Sequence, residues 1–323
     1  MSQILVAGGA GYIGSHTVKE LRARGYDMVV FDDLSSGRRE FVRDAELVVG
    51  DLMNKEAVRS VFQGRDIAAV LHFASLIQVG ESYVHPRKYY TRNLITSLNL
   101  LDGLIDAGVR TMIFSSSAAV YGVPLRTPLT EDHPLNPFNP YGQTKLMVER
   151  ILQDYDRAYG LKFISLRYFN ASGADPDGGL GECHDPETHL IPNILRALSG
   201  RQDALDIYGD DFPTPDGTAV RDYIHVSDLA AAHVLALQRL RSAPKSEFIN
   251  LGTNRGYSVR EVVAAAEQLT GRKVPVRMMP RREGDVPVLL ASKEKAERVL
   301  GWTPRTSDLE TIIETARRWH ESL

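Results

Sequence analysis

"ILVAGGAGYIGSH", residues 4–16, decides the fold. Its four apolar residues run straight into Gly8, Gly9, Gly11 and Gly14, and a helical pattern follows. A short apolar run that stops at glycines predicts a buried strand entering a tight turn. Bare backbone at Gly8, Gly11 and Gly14 lets a phosphate come close, and the free N–H groups and positive end of the next helix attract its charge. Three glycines alone describe a turn as well as they describe a nucleotide site. The flanks decide, because a second apolar run, "MVVF" (28–31), delivers Asp32 at its end. An acid there accepts hydrogen bonds from an adenosine ribose and repels a 2′-phosphate, which predicts a dinucleotide site and favours NAD over NADP. Arg38 and Arg39, a few residues on, are the feature that speaks for NADP. Asp51, after the run "ELVV" (46–49), is a candidate partner for the adenine amino group or else the cap of the next helix.

Outward from that stretch, "AAVLH" (68–72), "TMIFSSS" (111–117) and "KFISLRYF" (162–169) repeat the apolar pattern. Between them, residues 84–109 and 141–159 carry apolar positions at helical spacing. Continuous apolar strands separated by helices predict a parallel sheet covered on both faces, a Rossmann-like doubly wound α/β domain. The pattern changes after Asn170: residues 171–189 and 208–218 are rich in Gly, Asp and Pro and read as long loops. "YIHV" (223–226) predicts a strand leading to an N-cap at Ser227 and Asp228, with a helix over 229–240. "EFINLG" (247–252) predicts one more strand of the main sheet, and helices near 258–270, 292–300 and 308–321 a smaller α/β lobe. The chain leaves the sheet and returns, so both parts are expected to be discontinuous. Residues 1–170 and 223–252 would bind the dinucleotide, and 171–222 and 253–323 would form the second lobe.

A net charge of -3 over 323 residues gives no electrostatic footprint for nucleic acid. The first residues reach their glycines too soon for a signal peptide, and no apolar stretch reaches the roughly 18 residues that a membrane span needs. A single cysteine, Cys183, excludes an internal disulfide and suits a reducing cytoplasm. It lies in "GECHDPETH" (181–189) with His184 and His189. Adjacent Cys183 and His184 are poorly placed to converge on one ion, so a polar loop and no metal is expected.

"NPYGQTK" (139–145) sets Tyr141 and Lys145 at i and i+4, on one face of a helix. A phenol with pKa near 10 is a poor base at neutral pH, and lowering it by about 3 units takes about 4 kcal/mol. One cation at about 5 Å supplies roughly 3 kcal/mol at an effective dielectric of 20. The lysine and an oxidised nicotinamide together would suffice. Ser115, Ser116 and Ser117 end the fifth apolar run, at the sheet edge where ligands bind, and a serine hydroxyl there bridges phenol and substrate oxygen.

At this point the sequence resembles a known family. "GGAGYIGSH" (8–16), "SSSAAVYG" (115–122), "NPYGQTK" and "RYFNASGA" (167–174) are similar to the extended short-chain dehydrogenase/reductase family. "VGES" (79–82), "HLIP" (189–192), "DGTAVRDYIHVSDLA" (216–230) and "RREGD" (281–285) resemble its UDP-glucose 4-epimerase branch, so the likeness runs from about residue 3 to about residue 305. It implies NAD retained through turnover, interconversion of UDP-galactose and UDP-glucose through a 4-keto sugar, and a catalytic set of Tyr141, Lys145 and Ser117. By position it implies cofactor contacts at Gly8, Gly11, Tyr12, Ile13, Gly14, Asp32, Asp51, Leu52, Phe73, Ala74, Asn93, Ser115, Tyr141, Lys145 and Tyr168. It implies nucleotide-sugar contacts at Ser117, Tyr141, Asn170, His189, Leu190, Ile207, Tyr208, Arg221, Tyr223, Arg282 and Asp285. Guanidinium forks at Arg221 and Arg282 match phosphate oxygens, and Asp285 can accept from ribose hydroxyls. Read singly, Arg221 beside Asp222 describes a surface ion pair and Tyr208 a core aromatic.

Three positions depart from the family's pattern. Ile77 stands where a lysine is common, His189 where some members have asparagine, and Leu289 between the tyrosine of hexose-restricted members and the small residue of those that admit N-acetyl sugars. The resemblance also implies a homodimer pairing helices near 85–108 and 141–159. Dehydratases of the fold place an Asp-Glu pair after the active-site hydroxyl residue, whereas Ala118 and Ala119 follow Ser117 here. A UDP-glucuronate or pentose 4-epimerase, a decarboxylase, and a non-catalytic dinucleotide sensor are the other readings weighed. Sensors on this fold commonly lose the tyrosine or lysine that this chain keeps.

Overall fold

The computed structural model describes residues 2–282 and 284–323. Its first half alternates β1 (Gln3–Ala7), α1 (Tyr12–Ala23), β2 (Met28–Asp32), β3 (Glu46–Val49), α2 (Lys55–Phe62), β4 (Ile67–His72), α3 (Val79–Val84), α4 (Pro86–Asp106), β5 (Thr111–Ser115), α5 (Pro140–Tyr159) and β6 (Lys162–Arg167). There follow β7 (Asn170–Ser172), α6 (Leu190–Leu198), β8 (Leu205–Tyr208), β9 (Val220–Arg221), β10 (Tyr223–His225), α7 (Val226–Ser242) and β11 (Glu247–Asn250). The chain closes with β12 (Tyr257–Ser258), α8 (Val259–Thr270), β13 (Val276–Met279), β14 (Val288–Leu289), α9 (Glu294–Leu300) and α10 (Leu309–Glu321).

Seven parallel strands form the main sheet in the order β11-β6-β5-β4-β1-β2-β3. Successive side chains leave a strand on opposite faces, so continuous apolar strands must be covered twice. Ile4 and Val6 of β1 join Val18 and Leu21 of α1 and Leu229 and Leu237 of α7 on one face. Leu5 and Ala7 join Val58 of α2, Leu100 and Leu104 of α4 and Leu152 of α5 on the other. Each such aliphatic side chain, fully buried, contributes about 1.5–3 kcal/mol. Strand order reverses between β1 and β4, and the crevice at that switch is where ligands bind in doubly wound sheets.

Beyond β6 the chain forms short sheets of two or three strands, β10-β7, β12-β9-β14 and β13-β8. A third apolar cluster, with Ile194, Leu205, Val262, Ala266 and Ile312, ties α6, β8, α8 and α10 together. Ala296, Leu300 and Trp302, from α9 and just beyond it, pack instead into the core of the main sheet. Two caps differ from the sequence reading. Helix α7 begins before Ser227, because the His225 ring Nδ1 already accepts from the Ser227 N–H at 3.1 Å. Helix α2 is capped by Asn54, whose side chain accepts from the Glu56 and Ala57 N–H groups, which leaves Asp51 free of capping duty.

Candidate active site

The glycine turn has the geometry a phosphate cradle needs. Gly8 has φ +79°, and a Cβ there would lie 2.5 Å from the Ala74 backbone nitrogen. A Cβ on Gly14 would sit 2.2 Å from the Gly8 carbonyl oxygen, so the loop and α1 close up only because both lack side chains. Gly11 occupies the N-cap of α1 and offers no side-chain acceptor, so the first N–H groups of the helix stay available to an anion. At the end of β2, Asp32 accepts from the Ala10 and Leu34 N–H groups, each at 2.9 Å. Burial pushes its carboxyl up while those two bonds pull it down. One bond per oxygen leaves lone pairs for hydroxyl donors. The donors and the bare backbone therefore fit an adenosine dinucleotide.

Asp51 accepts from the Met53 N–H at 2.8 Å and from Arg92 at 2.8 Å, and Arg92 also reaches Asp33 at 3.0 Å. This arginine bridge across the ends of β2 and β3 was missed in the sequence, where Arg92 reads as one more solvated helix charge. Asn93 holds the loop after β4: its Oδ1 accepts from the Leu76 N–H at 2.8 Å, and its Nδ2 donates to the Leu76 carbonyl at 3.1 Å.

The three serines have three different partners. Ser115 shares a 2.5 Å hydrogen bond with the Tyr168 phenol, Ser116 donates to buried Glu149 at 2.8 Å, and Ser117 caps the turn after β5 by accepting from the Ala119 N–H at 3.1 Å. Tyr141 enters from the first turn of α5, where Asn139 caps the helix and Pro140 fits the N1 position. Only 9% exposed, its phenol is pushed up to about 12 by burial, with a hydrogen bond from Ser117 pulling it down. Lys145 is 3% exposed; its Nζ donates to Ser75 Oγ at 2.9 Å and the Ser115 carbonyl at 2.8 Å, and lies 5.8 Å from the Tyr141 ring centroid. Burial brings Lys145 down to about 7, with the Glu149 charge pulling it up.

From the sequence, the lysine and an oxidised nicotinamide together are expected to lower Tyr141; the contribution of the chain alone, through burial, raises it. The cavity wall removes water from both groups, and the phenolate loses more by desolvation than the Ser117 hydrogen bond returns. Behind them stands a network the sequence reading missed. Glu149 accepts from Arg167 through both oxygens, at 2.9 and 2.7 Å, and from Ser165 at 2.7 Å. Arg167 also donates to Tyr121 at 2.9 Å. Breaking one half of such a buried pair costs about 3–5 kcal/mol. The i, i+4 spacing of Lys145 and Glu149 was the available signal.

At the far end, Arg221 does not pair with its neighbour Asp222. Asp222 is buried and accepts from Thr253 and Ala291 N–H groups, while Arg221 donates to the Val220 and Val286 carbonyls at 2.9 Å and approaches Asp285 at 3.6 Å. Arg282 bonds Asp285 at 3.1 Å and lies 4.7 Å over the ring of Tyr208, which is 36% exposed and no core residue. His189 stands at the N-cap of α6 with its Nδ1 on the carboxylate of Glu182. Asn170 Nδ2 donates to the Asp222 carbonyl at 2.9 Å.

A single cavity of about 850 Å³ is lined by every residue that the sequence nominated, from Gly8, Gly11, Tyr12, Ile13 and Gly14 to Arg282 and Asp285, and by Ile77 and Leu289 as well. Strand-end glycines at a topological switch, joined in one cavity to a buried Tyr-Lys pair and an arginine cluster, define a dinucleotide-dependent protein that moves a proton on a phosphorylated substrate. The chain belongs to the NAD dependent epimerase/dehydratase family, whose sequence profile matches residues 4–252. It is 48% identical over 320 residues to the UDP-glucose 4-epimerase of Lacticaseibacillus casei, covering 99% of this chain and 97% of that protein. The crystal structure of UDP-glucose 4-epimerase from Brucella ovis in complex with NAD superposes with a TM-score of 0.96 at 51% identity, covering 98% of both chains. The Bifidobacterium longum enzyme in complex with NAD+ and UDP gives 0.93 at 37% identity, with 99% of this chain and 98% of that one covered.

Proposed function

We propose that this chain interconverts UDP-galactose and UDP-glucose with NAD as its resident cofactor, and that Tyr141, Ser117 and Lys145 handle the proton. NAD, when bound, accepts hydride from the sugar C4 and gives it back, and its oxidised ring adds positive charge to the cavity. Tyr141 takes the proton of the 4-hydroxyl and later returns it, Ser117 relays between phenol and sugar oxygen, and Lys145 holds the tyrosine side of the site in place. Gly8, Gly11, Tyr12, Ile13, Gly14, Asp32, Asp51, Leu52, Phe73, Ala74, Asn93, Ser115 and Tyr168 are the proposed cofactor side. Arg221 and Arg282 hold the diphosphate, Asp285 the uridine ribose, and Asn170, His189, Leu190, Ile207, Tyr208 and Tyr223 complete that end. Affinity concentrated on the nucleotide leaves the 4-keto sugar free to present its other face, so one set of groups serves both directions.

The observation that carries this reading is one cavity that joins the glycine cradle, the Tyr141 phenol beside Ser117, and the two arginines. Purified protein incubated with UDP-galactose and no added NADH should yield UDP-glucose until the two reach equilibrium. A 4-keto-6-deoxy product would move the chain to the dehydratases, and an unchanged substrate in the presence of bound NAD would end the catalytic reading. A second substrate class, the N-acetylhexosamines, rests on Leu289 in the cavity wall, and UDP-N-acetylgalactosamine in the same assay tests it.

Three structural proposals accompany the activity. The dinucleotide domain comprises 1–170 and 223–252 and the nucleotide-sugar lobe 171–222 and 253–323, with 294–302 joined by packing to the first. A homodimer through α4 and α5 is supported by partly exposed Ile95, Met147 and Tyr159 on those helices. Among the described residues no helix is long and apolar enough to cross a membrane, and with a single cysteine this supports a cytoplasmic location.

A further inference from the structure

The loop between β7 and α6 gathers four donor side chains, of which only His189 has a place in the proposed reaction. One ligand atom from each of Glu182, His184, Glu187 and His189 can be chosen so that all lie within 4.8 Å of one another. Both imidazoles turn Nδ1 toward a single carboxylate oxygen, Glu182 Oε1, His184 at 2.9 Å and His189 in direct contact. We propose that these four residues bind one divalent transition-metal ion of the zinc class.

Convergence of the donor atoms makes the case, and the local charge is compatible with it. The Glu182 side chain is 5% exposed, and among the described residues its ion-pair partners are these two imidazoles, with no lysine or arginine. A buried carboxylate needs a compensating charge. The second carboxylate, Glu187, offers an oxygen within 4.8 Å of the other three donor atoms. Two protonated imidazoles would balance the two carboxylates, and a divalent ion supplies the same two charges at one point between the four donor atoms. One divalent ion neutralises both carboxylates and uses the imidazoles as neutral ligands. Imidazole with carboxylate is a donor set that suits Zn²⁺ and its neighbours and does not single out Mg²⁺ or Ca²⁺.

The main chain of the loop is also braced from behind. Trp319 Nε1 donates to the Glu182 carbonyl at 2.9 Å, and Gly181 lies so tightly on the Trp319 ring that a Cβ would come within 2.3 Å of it. The sequence reading set a metal aside because it centred on Cys183. The structure assembles a donor set without the thiol. An ion here would fasten the segment that carries His189 into the cavity wall.

The test uses full-length protein with its NAD, stripped with a chelator and titrated with Zn²⁺ alone by calorimetry, with metal content per chain measured in parallel. One ion per chain is expected, and His184→Asn should weaken it at least about tenfold. Cys183→Ser should bind as the parent does. Co²⁺ in place of Zn²⁺ should give a visible d–d band that His184→Asn removes. Glu182→Gln should also lose the ion, and if that variant does not fold, His184→Asn, on a partly exposed residue, decides alone. Absence of saturable binding, binding unchanged in His184→Asn, or binding lost in Cys183→Ser would each overturn the proposal. No substrate enters the measurement, so its failure leaves the epimerase reading standing.

Discussion

The two ends of the cavity are built by different means. At the dinucleotide end, the contact surface is backbone: Gly8 and Gly14 without side chains, an uncapped helix start, and one acid, Asp32, tied to the same loop. At the other end, side chains from separated segments do the work: Arg221 on β9, Tyr208 on β8, Arg282 and Asp285 on the strand connection, and His189 at the start of α6. A backbone site is specified by residues that are next to each other in sequence. A side-chain site is specified by whichever segments the fold brings together. The first therefore tolerates little local change, whereas the second can lose one member and keep the rest.

The residue between the two ends should show the largest effect. Tyr141→Phe is expected to lower turnover roughly a thousandfold while NAD occupancy and UDP affinity stay within about twofold, because only the proton relay is removed. A near-normal rate of UDP-glucose formation would take Tyr141 out of the mechanism. Without cofactor, moreover, ultraviolet titration should find no tyrosinate that Tyr141→Phe removes below about pH 10, because burial holds this phenol near 12.

Gly14→Ala tests the backbone end. Its new methyl would collide with the Gly8 carbonyl, so the turn must shift at about 3 kcal/mol, and NAD affinity should fall roughly a hundredfold with UDP binding little changed. Fluorescence titration of the two ligands separates these. Equal losses at both ends would erase the contrast drawn above. The smallest effect belongs to Arg221→Lys, which keeps the charge and loses the fork. UDP should bind about tenfold more weakly, with NAD unaffected. An unchanged UDP affinity would leave Arg221 as a strut between the Val220 and Val286 carbonyls and no more.

The comparison also explains what was legible. Gly8 to Gly14, Asp32 and the strands from β1 to β6 follow from apolar periodicity and local steric needs, and Tyr141 with Lys145 follows from helical spacing. Arg92, Glu149 and Arg167 were not found from sequence, and the Glu182 segment was weighed as a metal site and set aside, because a charge that is buried by its neighbours looks the same in a sequence as one that faces water. Residue order by itself determined the strands of the doubly wound sheet, the phosphate turn and the candidate pair on α5, since each carries a pattern legible within a few residues. Only the tertiary structure decided that Asp222 turns inward, that burial raises Tyr141, and that four donors from a polar loop meet. Desolvation and long-range pairing depend on every segment packed around a group, and no local pattern encodes them.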